Sequence, residues 1–329
     1  MPILGHTGLK VSRIGLGLAA LGRPAYINLG HADDLDENYQ ISAMEAHTHR
    51  VLDAAWKAGI RYFDAARSYG RAEAFLGSWL KLRKIDPQSV TVGSKWGYIY
   101  TANWQIEAEV HEVKEHSVSV LRQQWAETQE FLGKYLDVYQ IHSATFESGV
   151  LENQAVLDDL ARLKNKGIKI GLTLSGTQQS EVLLAAIEIL RDGQHLFDTV
   201  QITWNIFESS ASKAIETAHE VGMGVIIKEA LANGRLTARN NAPEFATKRS
   251  VLEEQAQRFN ASIDAIALAY VLHQKWADVV LSGAARVDHL QSNIKALEIE
   301  LDTEAIEALK GLAEPPEQYW QTRSALAWN

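Results

Sequence analysis

Eight short β-branched or apolar runs, separated by amphipathic stretches at 3.6-residue spacing, predict an α/β fold closed as a (β/α)8 TIM barrel. Two further observations point the same way. Several amphipathic stretches end in a glycine just before the next apolar run, and no G-x-G-x-x-G follows a strand as a doubly wound dinucleotide domain would require. A chain of 329 residues is long enough for two domains, yet α/β barrels reach this size as one, so residues 1–329 are read as a single barrel domain.

The elements follow in order. Residues 3–13 read as a β-hairpin ahead of the barrel, with Thr7-Gly8 at its turn. The first strand is Ile14–Leu18, and residues 22–45, with Asp33-Asp34-Leu35-Asp36-Glu37, form a long polar loop at the C-terminal face. The remaining strands are Tyr62–Ala65, Val90–Lys95, Val138–His142, Ile170–Leu174, Val200–Thr203, Val225–Ile227 and Val279–Leu281. Helices are expected over Ala46–Ala58, Ser117–Gly133, Val156–Lys166, Gln179–Leu190 and Ala211–Val221. Ser180 and Ser262 read as helix starts, and Gly59, Gly167 and Gly222 as left-handed C-terminal caps. The tail from Pro315, carrying Tyr319, Trp320 and Trp328, follows the last helix.

Composition narrows the function classes. The net charge of −9, with acidic residues scattered, argues against nucleic acid or an anionic membrane as partner. The chain has no cysteine, which removes disulfides, thiolate metal sites and thiol catalysis. No secretory signal and no apolar run near the ~20 residues of a membrane span is visible, so the default location is the cytoplasm.

Four residues carry the chemistry. Asp64, Lys95 and His142 stand at predicted strand ends, and Tyr69 lies in the loop just after Asp64. Parallel strands in a barrel deliver their C-terminal ends to one mouth, so separations of tens of residues collapse to contact distance. Singly, each has an ordinary explanation as a turn cap, a solvated lysine or a packing residue. Together they form a device for proton transfer to a carbonyl. A free tyrosine titrates near 10, and a neighbouring Lys95 ammonium, held by Asp64, is expected to lower that value. His142 would orient and polarise the carbonyl while Tyr69 delivers the proton, with no metal needed.

These residues, with Leu4-Gly5-His6-Thr7-Gly8-Leu9-Lys10-Val11-Ser12, Ile14-Gly15-Leu16-Gly17, Phe63-Asp64-Ala65-Ala66-Arg67-Ser68-Tyr69-Gly70 and Asp137-Val138-Tyr139-Gln140-Ile141-His142, resemble the aldo-keto reductases almost end to end. The resemblance implies a barrel binding NADP(H), with NAD(H) the alternative, and hydride transfer to an aldehyde or ketone as the small-molecule partner. It implies Tyr69 as general acid/base supported by Asp64, Lys95 and His142. For the cofactor it implies Gly17, Ser175, Gln201, Lys228, Leu231, Gly283, Arg286 and Asn293.

Some positions depart from the family's pattern. Ser175 is followed by Gly176 where Asn is common, and Lys228 stands where many members place a tyrosine against the nicotinamide. Lys228 is expected to turn toward Glu229, substrate or phosphate, or to be a surface lysine, with Trp204 as apolar cover. Gly283 and His289 replace a Lys and an Arg that grip the adenosine 2′-phosphate in some members, which leaves Arg286 for that role. Trp96, Tyr98, Trp104 and Tyr26 either line the substrate pocket or pack the loops. The competing readings are a cofactor-sensing regulatory subunit with little turnover and an NAD-linked sugar dehydrogenase.

Overall fold

Parallel strands roofed by helices are buried on both faces, and the predicted runs have that character: Leu136–Ile141 and Thr199–Thr203 hide nearly every side chain. In a computed structural model, which describes residues 1–35 and 37–329, eight strands close into a parallel barrel. They are β1 (Ile14–Gly17), β2 (Tyr62–Asp64), β3 (Thr91–Trp96), β4 (Leu136–Ile141), β5 (Lys169–Thr173), β6 (Thr199–Thr203), β7 (Gly224–Lys228) and β8 (Val279–Ser282). Each pairs with its neighbour in sequence, and β8 returns to β1 through Ile14↔Val280, Gly15↔Leu281 and Leu16↔Ser282. The register Gly17↔Asp64, with Thr203↔Lys228 across the barrel, brings these residues to the C-terminal mouth.

The opposite end is closed by the N-terminal hairpin. Ile3 and Lys10 bridge, the Leu4 amide donates to the Leu9 carbonyl at 2.9 Å, and Gly8 turns at φ +78°. Leu4 and Val11 are fully buried against Tyr62, Val138, Ile226 and Val279 in the barrel interior. Gly5 lies so close to β7 that a Cβ would come within 2.4 Å of the Gly224 nitrogen. Only glycine fits there.

Helix ends follow local chemistry. Ser117, Asn153, Ser262 and Asp302 each accept a hydrogen bond from the backbone N–H three residues on. Gly59, Gly167 and Gly222 follow their helices with φ of +89°, +97° and +89°.

Several details differ from expectation. Ser180 does not start its helix: the helix Gln179–Ile187 begins at Gln179, the expected first residue, and no side chain caps it. That helix ends before Leu190 because Asp192 and Gly193, at φ +51° and +76°, make a tight hairpin turn between Leu190–Arg191 and Gln194–His195. A second hairpin, Tyr98–Tyr100 with Glu112–Lys114, follows β3. The loop over 22–45 holds a one-turn helix at His31–Asp34 and gives way to a helix at Ile41; Asp36, within the acidic run, lies outside the described residues. The tail contains a further helix, Pro316–Ser324, started by a proline at its first turn. Its end folds back so that Tyr26 and Asn329 exchange backbone hydrogen bonds of 3.0 and 3.2 Å. Among the described residues no helix is long and apolar enough to cross a membrane.

Candidate active site

The last residue of β2, Asp64, meets Lys95 near the end of β3 in a fully buried ion pair. Such a pair is tolerated only when its remaining hydrogen-bonding capacity is used. Here Lys95 Nζ also donates to the Ala65 carbonyl at 2.9 Å, and Gln201 Nε2, from β6, donates to Asp64 Oδ1 at 2.9 Å. The Gln201 amide is thereby oriented, which leaves its carbonyl oxygen and its second N–H for a ligand.

Tyr69 sits on the turn leaving β2, which is tightened by Tyr69 N–H to the Ala66 carbonyl at 3.1 Å. Its ring lies 4.7 Å from Lys95 Nζ and meets the His142 ring edge-on at 5.5 Å. His142 follows β4; its amide donates to the Trp96 carbonyl at 2.8 Å, and its own carbonyl accepts from His116 Nε2 at 2.9 Å. Tyr98 packs against its imidazole at 4.9 Å. The structure brings all four predicted residues together.

The electrostatics differ from expectation at Tyr69. Burial first, and the Asp64 carboxylate second, hold its phenol well above the ordinary tyrosine value, so the expected net lowering by Lys95 is not found. The reason is that the Lys95 ammonium is turned to Asp64, and burial lowers Lys95 itself. His142 is pushed well below its usual value by burial, with Lys95, Arg23 and Lys228 adding to the effect. The site therefore presents a protonated phenol and a neutral imidazole.

A cleft of about 670 Å³ opens above these residues. Gly17, Ser175, Gln201 and Lys228 lie on its wall, as do Leu231, Gly283 and Asn293; Lys95 lies beneath Tyr69. Arg286 is not on that wall, and its guanidinium pairs with Asp288 at 3.0 Å. Lys228 is not a surface lysine: 15% of its side chain is exposed, and Nζ donates to Ser175 Oγ at 2.8 Å and Thr203 Oγ1 at 2.7 Å, with Glu229 at 3.9 Å. Burial lowers it to about 8. Trp204 gives the cleft no cover, because it turns outward to stack on Tyr270 at 5.6 Å. Tyr26 and Tyr98 line the cleft, whereas Trp96 is buried in the core and Trp104 packs on Phe75 while donating to the Tyr39 carbonyl.

The wall suits an extended dinucleotide. A Cβ built on Gly176 or Gly283 meets nothing within 4 Å, so backbone is open to close approach at both points. The Asn293 amide donates to Asp264 Oδ2 at 2.8 Å and accepts from Ser282 Oγ, which fixes it on the same wall.

The pairings made along this wall escaped the sequence reading. Arg239, on the loop after β7, binds Asp34, on the loop after β1, and His289 Nδ1 stands 3.7 Å from the same carboxylate. The two loops also meet through Leu29 N–H to the Asn233 carbonyl at 3.1 Å and Asn233 Nδ2 to the Ile27 carbonyl at 3.0 Å, so they clasp across the cleft they line. Arg23–Glu112 and Arg323–Glu229 form two more ion pairs at the mouth.

The profile of the Aldo/keto reductase family matches residues 13–314. The chain is 25% identical to the aldo-keto reductase ausK of Emericella nidulans over 93% of its length and 79% of the relative's. It is 24% identical to norsolorinic acid reductase of Aspergillus flavus, covering 94% of this chain and 79% of that protein. The fold is similar to that of a Bacillus halodurans aldo-keto reductase in its holo form, with a TM-score of 0.72, 19% identity, and 95% and 96% of the two chains covered. The barrel, the cleft and the family match converge on one statement: the chain belongs to the aldo-keto reductase family.

Proposed function

We propose that this oxidoreductase uses NAD(P)H to reduce aldehydes or ketones to alcohols, with Tyr69 as the proton donor. The observation that carries the reading is the Tyr69 ring, 4.7 Å from a fully buried Lys95–Asp64 pair and edge-on to His142 at the floor of the cleft. Ser175, Gln201 and Asn293, with the open backbone at Gly176 and Gly283, would hold the dinucleotide. Bound reduced nicotinamide supplies the hydride. The carbonyl oxygen would lie against the Tyr69 hydroxyl and the neutral His142 ring, whose hydrogen bonds grow stronger as negative charge develops on it. The phenol, kept protonated by burial, gives its proton to that oxygen as the carbonyl carbon becomes tetrahedral. Lys95 then faces the phenolate, while Asp64 fixes the ammonium in place.

One observation favours NAD(H) as the second reading for the cofactor. Asp34 already occupies Arg239 and stands beside His289, so a 2′-phosphate brought there would meet a carboxylate. The test is steady-state oxidation of NADPH and NADH with a panel of aldehydes and ketones. Turnover is expected, and Tyr69→Phe is expected to lower it by at least about 100-fold. Undiminished turnover in that variant removes Tyr69 as the acid, and cofactor binding without turnover returns the regulatory reading.

A further inference from the structure

Arg23 stands on the loop after β1 and is 2% exposed. Its guanidinium faces three rings, with Tyr26 and Tyr69 each at 5.3 Å and Trp328 at 4.8 Å. Nη1 donates to the carbonyl of Ser68, the residue before Tyr69, at 3.1 Å, and to Glu112 Oε2 at 2.8 Å. The backbone grips the same turn: Arg71 N–H donates to the Gly22 carbonyl at 2.7 Å, and a Cβ on Gly22 would fall 2.2 Å from the Tyr69 carbonyl oxygen.

Charge at this turn is unevenly shared. Asp64 from β2, Glu112 from the hairpin after β3 and Glu229 at the end of β7 all disfavour a phenolate at Tyr69. Lys95 from β3 is bound to Asp64, and His142 after β4 is neutral. Arg23 opposes the three carboxylates, and unlike the nearer Lys95 ammonium, 4.7 Å from the ring, it is not bound to Asp64. A guanidinium on a ring face attracts a phenolate more strongly than a phenol, and the contact is buried enough for the difference to count.

We infer that Arg23 is a positioning residue for Tyr69: it locks the turn through Ser68 and, from a side of the ring that Lys95 does not hold, adds positive charge against which the phenolate forms, while Glu112 sets how much of that charge Tyr69 feels. The inference rests on Tyr69 being the proton-transfer group. It involves no new covalent step. The proton that leaves Tyr69 for the carbonyl oxygen during reduction is the one that returns to it during alcohol oxidation.

The experiment is the pH profile of kcat/KM for NAD(P)+-dependent alcohol oxidation, in which the phenolate is the base and activity rises with pH. Arg23→Gln is expected to move that rise upward by about one pH unit, an about ten-fold loss at a fixed pH below it. Arg23→Lys is expected to recover part of the shift. Glu112→Gln removes a carboxylate and leaves the guanidinium less neutralised, so its profile should move the other way. If Arg23→Gln fails to fold in a thermal melt, the downward shift in Glu112→Gln carries the test. A merely structural role lowers rates equally at every pH. Profiles that stay in place, or shift together, while Tyr69→Phe is inactive overturn the role of Arg23. An active Tyr69→Phe overturns the proton-donor reading, and this inference falls with it.

Discussion

Lys228 shows how a single side chain can carry a cost that appears only on titration. Two hydroxyls hold its amine, Glu229 stands at 3.9 Å, and burial still lowers it to about 8. Its ordinary value is 10.5, so between about pH 8 and 10.5 the unfolded chain binds one more proton than the folded one, and stability rises with pH across that window. Below pH 8 the cost of burying the ammonium is fully present. Lys228→Met lacks this term. Urea unfolding at pH 7 and at pH 10.5 should show the wild type gaining about 3 kcal/mol relative to the variant as pH rises; a constant difference would rule out the depressed amine. Site residues differed in how far the sequence exposed them. Asp64, Lys95 and His142 were legible because each stands at or near the end of a β-branched or apolar run, where barrel geometry fixes its direction. Arg23 and Glu112 are separated by 89 residues, and Asp34 and Arg239 by 205, and all four lie outside the barrel strands, where no period in the sequence links them.

The C-terminal helix Pro316–Ser324 is held to the barrel mouth by a small set of polar contacts. Arg323 Nη2 donates to Glu229 at 2.7 Å, and Asn205 Nδ2 donates to the Tyr319 hydroxyl at 3.0 Å and the Glu229 carbonyl at 2.9 Å. Burial alone would raise Glu229, yet Lys228 and Arg323 together bring it down to about 2. Its contribution to stability is therefore present above about pH 4.5 and is lost as pH falls toward 2. Arg323→Met should destabilise the fold by about 3 kcal/mol, raise the pH at which acid unfolding begins, and make the tail the first site of limited proteolysis. A variant with wild-type acid stability would show that the pair does not tether the helix. The helix was not foreseen because its outer residues are polar, although Pro316 at its first turn is a start signal. The Asp192-Gly193 turn was likewise present in the sequence and was outweighed by the apolar period running through Leu190.

At the scale of the molecule, stability and chemistry lie at opposite ends of one barrel. Leu4 is fully buried beneath the strands, while the cleft opens beyond their C-termini. Leu4→Ala should cost about 2–5 kcal/mol in unfolding free energy and leave kcat of the folded enzyme unchanged. A kcat loss matching the stability loss would mean that the two ends are coupled. The whole barrel was legible because its strands are long enough in apolar residues to declare both buried faces; the traffic over its mouth was not. The clasp from Asp34, Leu29 and Ile27 to Arg239 and Asn233 passes over the cleft, so a ligand extended along it lies under a closed bar. Exit then requires these bonds to break together, whereas a compact ligand at Tyr69 can leave through the mouth beside them. The long ligand and the short one thus keep different clocks, and because each carbonyl reduced spends one hydride, the slower clock, the opening of the bar, is struck once in every turnover.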